Sequence, residues 1–393
     1  MMPNYYEFHN AVKVISGKKA LENIPFELRN LGGKKPLILT TKSLLSNGQV
    51  QIVVDSFYGF DIEPGPIFKD IPPDSSVEIV NEIAKLYKET GCDSIIAMGG
   101  GSVLDTAKGV NILVSKDSED IMEFMGLEVI EGKLNPFIAV PSTSGTGSEA
   151  TLVAVISNPE KKVKMEFISY NILPDVAILD PRMTLSLPAR MTATTGMDAL
   201  VHAIEAYTSV QKNPLSDAYA LAAIELISEY LIKTVKDGKN DENRIAMANA
   251  SFMAGAAFSN SMVGIVHAIG HACGGVCKVP HGVAMTILLP YGMEYNMIKV
   301  KDYYEKLLLP LGGAQLYAET EKEKRSEKSI EVIRNMTHEL SNLCDIPIRL
   351  RDAGVSEEDF DLIAKTAIND GAALANPVEV TYEGVMDILK KAY

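Results

Sequence analysis

Four side chains in the second half of the chain have the types and spacing of a metal site: Asp198 and His202, four residues apart, then His267 and His281. Only six histidines occur in 393 residues, and four of them (His202, His267, His271 and His281) fall within 80 consecutive positions. Imidazole is the commonest metal-ligating side chain, so this crowding points to chemistry rather than to packing. In MTATTGMDALVHAIEAY (191–207), Asp198 and His202 are an i, i+4 pair. On a helix they share one face, about 6 Å apart along the axis. VGIVHAIGHACGG (263–275) holds His267 and His271, again four apart, and spacing does not decide which of them is a ligand. The other then serves as a support or a proton relay. No glutamate follows His267, so the HExxH pattern of metalloproteases is absent. His281 follows Pro280 at an expected helix start. One carboxylate with three imidazoles is a borderline donor set that suits Fe2+, Zn2+, Co2+ or Ni2+. It leaves a divalent ion about one positive charge with which to polarise an oxygen.

The first half carries a different signature. SIIAMGGGSVLDTAKGV (94–110) runs from an apolar strand through Gly99, Gly100, Gly101 and Ser102 into a helix bearing Asp105 and Lys108. Glycines let the backbone approach a pyrophosphate, and the helix N-terminus offers free N–H donors and partial positive charge. The spacing is GGGSxxD rather than GxGxxG, and alone it would fit a plain strand-to-helix turn. A second cluster, VPSTSGTGSE (140–149), supplies the hydroxyls of Ser142, Thr143, Ser144, Thr146 and Ser148 after another strand. Two polar loops at the carboxyl ends of parallel strands favour a dinucleotide site over either loop taken singly.

Around these motifs the pattern alternates strand and helix. PLILTT (36–41), QIVVD (51–55), SIIAM (94–98), FIAV (137–140) and VAILD (176–180) read as strands, with helices over 75–89 and 103–114. From Ala189 the texture is helical over 214–236, 241–260, 282–298, 322–343 and 381–392, with breaks at Pro214, Gly238, Pro280, Pro310 and Pro347. The segment 309–329 reads as a solvated loop and helix face. The expected architecture is a doubly wound, mostly parallel, Rossmann-like α/β domain over 1–185, followed by an all-helical domain over 186–393.

Composition narrows the classes. A net charge of −14 disfavours nucleic acid, and no apolar stretch is long enough to span a bilayer. The first residues lack a secretion signal, and four scattered cysteines (Cys92, Cys273, Cys277 and Cys344) make no disulfide framework. A reducing, cytoplasmic setting is expected.

The chain resembles the iron-containing (group III, metal-dependent) alcohol dehydrogenases, on a dehydroquinate synthase-like architecture. The resemblance runs from about Ala11 to Tyr393 through GGGSxxDxAK (99–108), PSTSGTGSE (141–149), KVKM (162–165), GMDALVHAIEAY (196–207), GxVHAIGHACGG (264–275) and PHG (280–282). It implies Asp198, His202, His267 and His281 as ligands of Fe2+, with Zn2+ or another divalent ion as a substitute. His271 then lies beside the nicotinamide. Gly100, Gly101 and Ser102 would meet the pyrophosphate, with Asp105 just beyond them; Thr143 and Thr146 would line the cofactor groove, with Val155 and Lys164 nearby, and Gly99 and Ser142 belong to the same cofactor-binding set. Many NAD-using members carry an aspartate where Thr41 stands, so 2′-phosphate is not repelled here, whereas Asp74 favours the unphosphorylated cofactor. NAD and NADP therefore both stay open.

The implied reaction is reversible hydride transfer between a small alcohol or diol and nicotinamide, through a metal-bound alkoxide, in a homodimer or larger homo-oligomer. A rival of another class, a metal-assisted lyase of the dehydroquinate synthase type, would gather basic residues at the metal. Arg244 is the nearest by motif. A regulatory nucleotide-binding module with a structural metal is a second rival. The neighbouring glycerol dehydrogenases use one Asp and two His, and His202 argues against that set.

Overall fold

The computed structural model describes residues 3–160 and 163–393; Lys162, first residue of the KVKM segment, lies outside them. The chain divides into two compact units, His9–Ser186 and a second formed by Leu187–Tyr393 with the residues up to Phe8. Phe8 stacks on Tyr219, with ring centroids 5.7 Å apart.

In the α/β unit the strands are β1 (Lys13–Ser16), β2 (Pro36–Leu39), β3 (Ile67–Phe68), β4 (Ser94–Gly99), β5 (Gly126–Leu127), β6 (Phe137–Pro141), β7 (Val153–Asn158), β8 (Val163–Ile168) and β9 (Val176–Leu179). The helices are α1 (Ile24–Leu31), α2 (Lys42–Ser46), α3 (Gln49–Ser56), α4 (Val77–Thr90) and α5 (Gly101–Lys116). Six strands form one parallel sheet in the order β1-β9-β6-β4-β2-β3. Period-two alternation divides its side chains between two buried faces. Leu37, Leu39, Ile95 and Ala97 pack with Val80, Ile83 and Val110, while Ile38, Ile96 and Met98 pack with Leu28, Val50 and Val53. From β2 the chain crosses to β3 on one side and then to β4 on the other. The carboxyl ends of β2 and β4 therefore flank a topological switch point, the crevice where such sheets take ligands. β5, β8 and β7 make a small second sheet in which β7 and β8 are antiparallel.

Two expectations need correction. QIVVD is not a strand but part of α3, because Val50, Val53 and Phe57 recur at helical spacing and reach the core together. The helix break expected at Pro310 falls three residues later, at Gly313, whose φ of 79° and ψ of 169° are not helical.

The helical unit contains α6 (Ala189–Thr208), α7 (Pro214–Lys236), α8 (Asp241–Ser259), α9 (Ile265–Cys277), α10 (His281–Glu319), α11 (Arg325–Cys344), α12 (Phe360–Ala367) and α13 (Tyr382–Ala392). α10 contains both Pro290 and Pro310, is kinked at Val300 and is interrupted at Gly313, so 309–319 is helical on either side of a glycine turn. α7 begins where Asn213 and Ser216 form a reciprocal cap with Pro214 in the first turn. No described helix is long and apolar enough to cross a membrane.

Gly282, beside His281, lets α10 start against α6: a Cβ there would lie 2.5 Å from the Thr194 carbonyl oxygen. Gly282→Ala should therefore lower stability by about 1–3 kcal/mol, seen as a fall in the urea midpoint. An unchanged midpoint would mean that the two helices do not need this close approach.

Candidate metal centre and cofactor groove

α6 places Asp198 and His202 one turn apart, and both are buried. α9 brings in His267, and the start of α10 brings in His281. Ligand atoms of Asp198, His267 and His281 all lie within 4.8 Å of one another. Asp198 Oδ1 is 3.2 Å from His281 Nε2, 3.9 Å from His267 Nε2 and 4.0 Å from His202 Nδ1. His202 stands at the edge of the tight group, its ring stacked between Phe258 (4.3 Å) and His267 (4.5 Å). Among the described residues, Asp198 Oδ1, His202 Nδ1 and His267 Nε2 are buried atoms without a hydrogen-bond partner. Buried polar atoms are normally satisfied, so three orphans around one carboxylate mark a place built for something else.

The electrostatics agree. Burial drives His202 down to about 3 and His267 well below its ordinary value, so both rings are neutral near pH 7. Burial also works against the Asp198 charge, but the surrounding imidazoles outweigh it and hold the carboxyl below its usual range. Neutral imidazoles with one carboxylate are donors without protons in the way, which is what a divalent cation such as iron requires. The residues fit the metal.

Two further carboxylates, not singled out in the sequence, pair with the histidines. Glu205, one turn beyond His202, lies 2.6 Å from His267 Nδ1, and burial pushes it up to about 7. Asp370 lies 2.9 Å from Nδ1 of His271, whose side chain is 41% exposed and whose ring is 5.7 Å from His267 and 5.4 Å from His281. Glu205 was detectable as the third member of the Asp198–His202 helical stripe. Nothing in the sequence tied Asp370 to His271. Arg244 is buried and donates to Gly238 O, Leu187 O and Thr192 Oγ1, so it is a strut between helices and not part of a basic cluster.

In the α/β unit the two polar loops meet. Gly100 caps α5 without a side chain, and Ser142 N donates to Gly99 O. A Cβ on Gly100 would come 3.3 Å from Thr143 Oγ1, and one on Gly101 would come 3.0 Å from Thr146 Cγ2. These glycines keep the cradle between the loops open at a helix N-terminus, which suits a pyrophosphate. The Ser102 hydroxyl donates to Pro73 O, so it ties the turn to the segment after β3. Thr41 caps α2, accepting from Leu44 N at 3.3 Å, and lines a cavity of about 460 Å³ with Lys42, Ser43 and residues 69–72. Asp74 and Lys164 are exposed and lie 4.0 Å apart.

Asp105 braces the turn from behind. Its oxygens accept from Ser148 Oγ (2.8 Å) and Val155 N (3.1 Å), bracing α5 against the hydroxyl loop and β7. Lys108, fully buried, completes the brace by donating to Ser148 Oγ, Thr151 O, Thr151 Oγ1 and Val153 O. Burial lowers Lys108 to about 8 and raises its neighbour Glu149 to about 7, and Glu149 Oε1 has no partner. A raised carboxyl favours folding below its unfolded value near 4.5, and that contribution is lost as pH climbs through about 7. Glu149→Gln should therefore gain stability over the parent at pH 7.5 relative to pH 5, by roughly 2–3 kcal/mol in urea unfolding. Equal differences at both pH values would refute the shift.

Comparison with known proteins agrees with this geometry. Residues 11–181 match the model of iron-containing alcohol dehydrogenase, and residues 192–393 match that of the Fe-containing alcohol dehydrogenase family, C-terminal. Alcohol dehydrogenase 4 of Saccharomyces cerevisiae (strain YJM789) is 37% identical over 382 residues, covering 96% of each chain. The NAD-dependent methanol dehydrogenase of Bacillus methanolicus is 36% identical, covering 96% of this chain and 97% of its own. The crystal structure of a 1,3-propanediol oxidoreductase superposes with a TM-score of 0.94 at 35% identity, covering 99% of this chain and 100% of that one. With both halves matched and relatives aligned nearly end to end, the chain belongs to the iron-containing alcohol dehydrogenase family and is an oxidoreductase acting on alcohols.

Proposed function

We propose that Asp198, His202, His267 and His281 hold the catalytic divalent cation and that the glycine turn and hydroxyl loop hold NAD or NADP. The substrates are short primary alcohols or diols and their aldehydes. The observation that carries the reading is the trio of buried, unpartnered acceptor atoms around Asp198. The names of the relatives, an alcohol, a methanol and a propanediol enzyme, support the substrate range.

When bound, the cation supplies Lewis acidity toward the alcohol oxygen and the nicotinamide supplies a hydride acceptor. The rest falls to the chain. Asp198 contributes the one formal negative charge among the proposed ligands, and the neutral imidazoles leave most of the cation's charge available. Asp370 accepts the Nδ1 proton of His271, which leaves Nε2 as a base for the proton released from the hydroxyl. Free N–H groups at the start of α5 face the pyrophosphate, and the brace from Lys108 and Asp105 keeps the hydroxyl loop at the width a dinucleotide needs. A homodimer or larger assembly is part of the same reading, and light scattering on the purified chain tests it.

Protein stripped by a chelator and refilled anaerobically with Fe2+ or Zn2+ should reduce NAD or NADP with ethanol, butanol or 1,3-propanediol. Asp198→Asn, His267→Ala and His281→Ala should each lose at least about 100-fold in kcat/KM and bind Zn2+ more weakly. His202→Ala should weaken binding too; if it binds Zn2+ as the parent does, the ligand set is one Asp and two His. Full turnover surviving chelation would overturn the metal assignment.

A further inference from the structure

Glu205 has three donors aimed at one carboxylate. Oε2 accepts from Gly264 N at 2.9 Å and lies 2.6 Å from His267 Nδ1, while Oε1 accepts from Val266 N at 2.7 Å. All three come from the first turn of α9, whose N-cap, Gly264, has no side chain to offer. Another backbone donor of that turn, Ile265 N, goes to Asn376 Oδ1 at 3.1 Å. A Cβ on Gly264 would meet Asn376 Oδ1 at 2.7 Å and Glu205 Oε1 at 3.1 Å, so the close approach depends on glycine. Glu205 thus caps α9 from another helix, and its charge sits at the positive end of that helix.

We propose that Glu205 is the positioning residue that makes His267 a metal donor, by accepting a hydrogen bond from Nδ1–H and so fixing the tautomer whose Nε2 carries the free lone pair. The proposal rests on the metal-centre reading above. The same carboxylate ties down the ring and the backbone on which it stands, so orientation and tautomer are set together. The free atom is found where this demands: His267 Nε2 is buried, unpartnered and 3.9 Å from Asp198 Oδ1. A histidine without such a partner favours the opposite tautomer, with the proton on Nε2, in which the ring cannot ligate through that atom. Neither Asp198 nor His202 can do this work, because both face the ring's other nitrogen or its plane.

Histidine-selective 15N NMR on the metal-free full chain, with His267→Asn for assignment, reads the tautomer directly. A proton on Nδ1 of His267 is expected; a proton on Nε2 would overturn the proposal. In Glu205→Gln one arm of the amide donates where the carboxylate accepted, so the three donors can no longer all be met. Zn2+ affinity, measured by competition with a chelating dye, should fall about 10–100-fold. Glu205→Asp, which keeps the charge, should recover part of it. If Glu205→Gln lowers thermal stability but binds Zn2+ as tightly as the parent, Glu205 is a helix cap only and the proposal fails. A variant too unstable to purify leaves the tautomer of the parent as the deciding result. A parent that binds no Zn2+ would instead sink the metal-centre reading, so the two failures are distinct.

Discussion

A carboxylate buried among acceptors is the constraint on which the helical unit is organised. Asp198 sits in a core built from Leu200, Ile204, Ile227, Ile269 and Leu288, with imidazole nitrogens around it and no hydrogen-bond donor aligned on Oδ1. Taking such a charge from water costs several kcal/mol unless something compensates. Two other buried charged groups are met by protein: Glu205 has three donors, and Lys108 has four acceptors. At Asp198 the imidazoles favour the charge, but no donor is aligned on Oδ1, and the proposed cation would complete the compensation. Binding to the folded state alone would then stabilise the fold by mass action and link metal loading to the integrity of this core.

The α/β unit solves its binding problem by other means. Its cradle relies on peptide N–H groups and on the space left by missing Cβ atoms, and both work only if the two loops keep their separation. That separation is held from behind, by Lys108 and Asp105 reaching across from α5 to Ser148, Thr151, Val153 and Val155. A buried lysine is an expensive strut. Its four acceptors justify the expense by joining one helix to a loop that has few apolar side chains of its own.

Much of this was legible in the sequence where the signal is local. The i, i+4 spacing of Asp198 and His202 predicted a shared helical face, and the glycine run predicted the strand-to-helix turn at β4 and α5. The misreadings have local causes too. QIVVD is rich in β-branched residues, yet the core-facing spacing of Val50, Val53 and Phe57 overrides that preference. The interruption expected at Pro310 falls three residues later, at Gly313, where a left-handed φ suits glycine. Partners distant in sequence could not be read: Asp370 is 99 residues from His271, and Lys108 is 40 or more from its acceptors. Only folding makes them neighbours. β1, β7 and β8 also escaped: β1 and β7 lie at sheet edges, and β8 lies between β5 and β7 in the small second sheet.

The two carboxylate–imidazole pairs show how burial turns one chemical unit to two ends. Glu205–His267 and Asp370–His271 both hold Nδ1 at hydrogen-bond distance and leave Nε2 as the reactive atom. His267 is almost wholly enclosed, which suits the ligand role proposed for its Nε2. His271 is nearly half exposed, which suits the proposed base, since a proton arriving at Nε2 could leave to solvent. One helical turn of α9 separates these positions, which is enough to carry the side chain from the core to the surface. The spacing that left the sequence undecided between His267 and His271 is the spacing that assigns them different work.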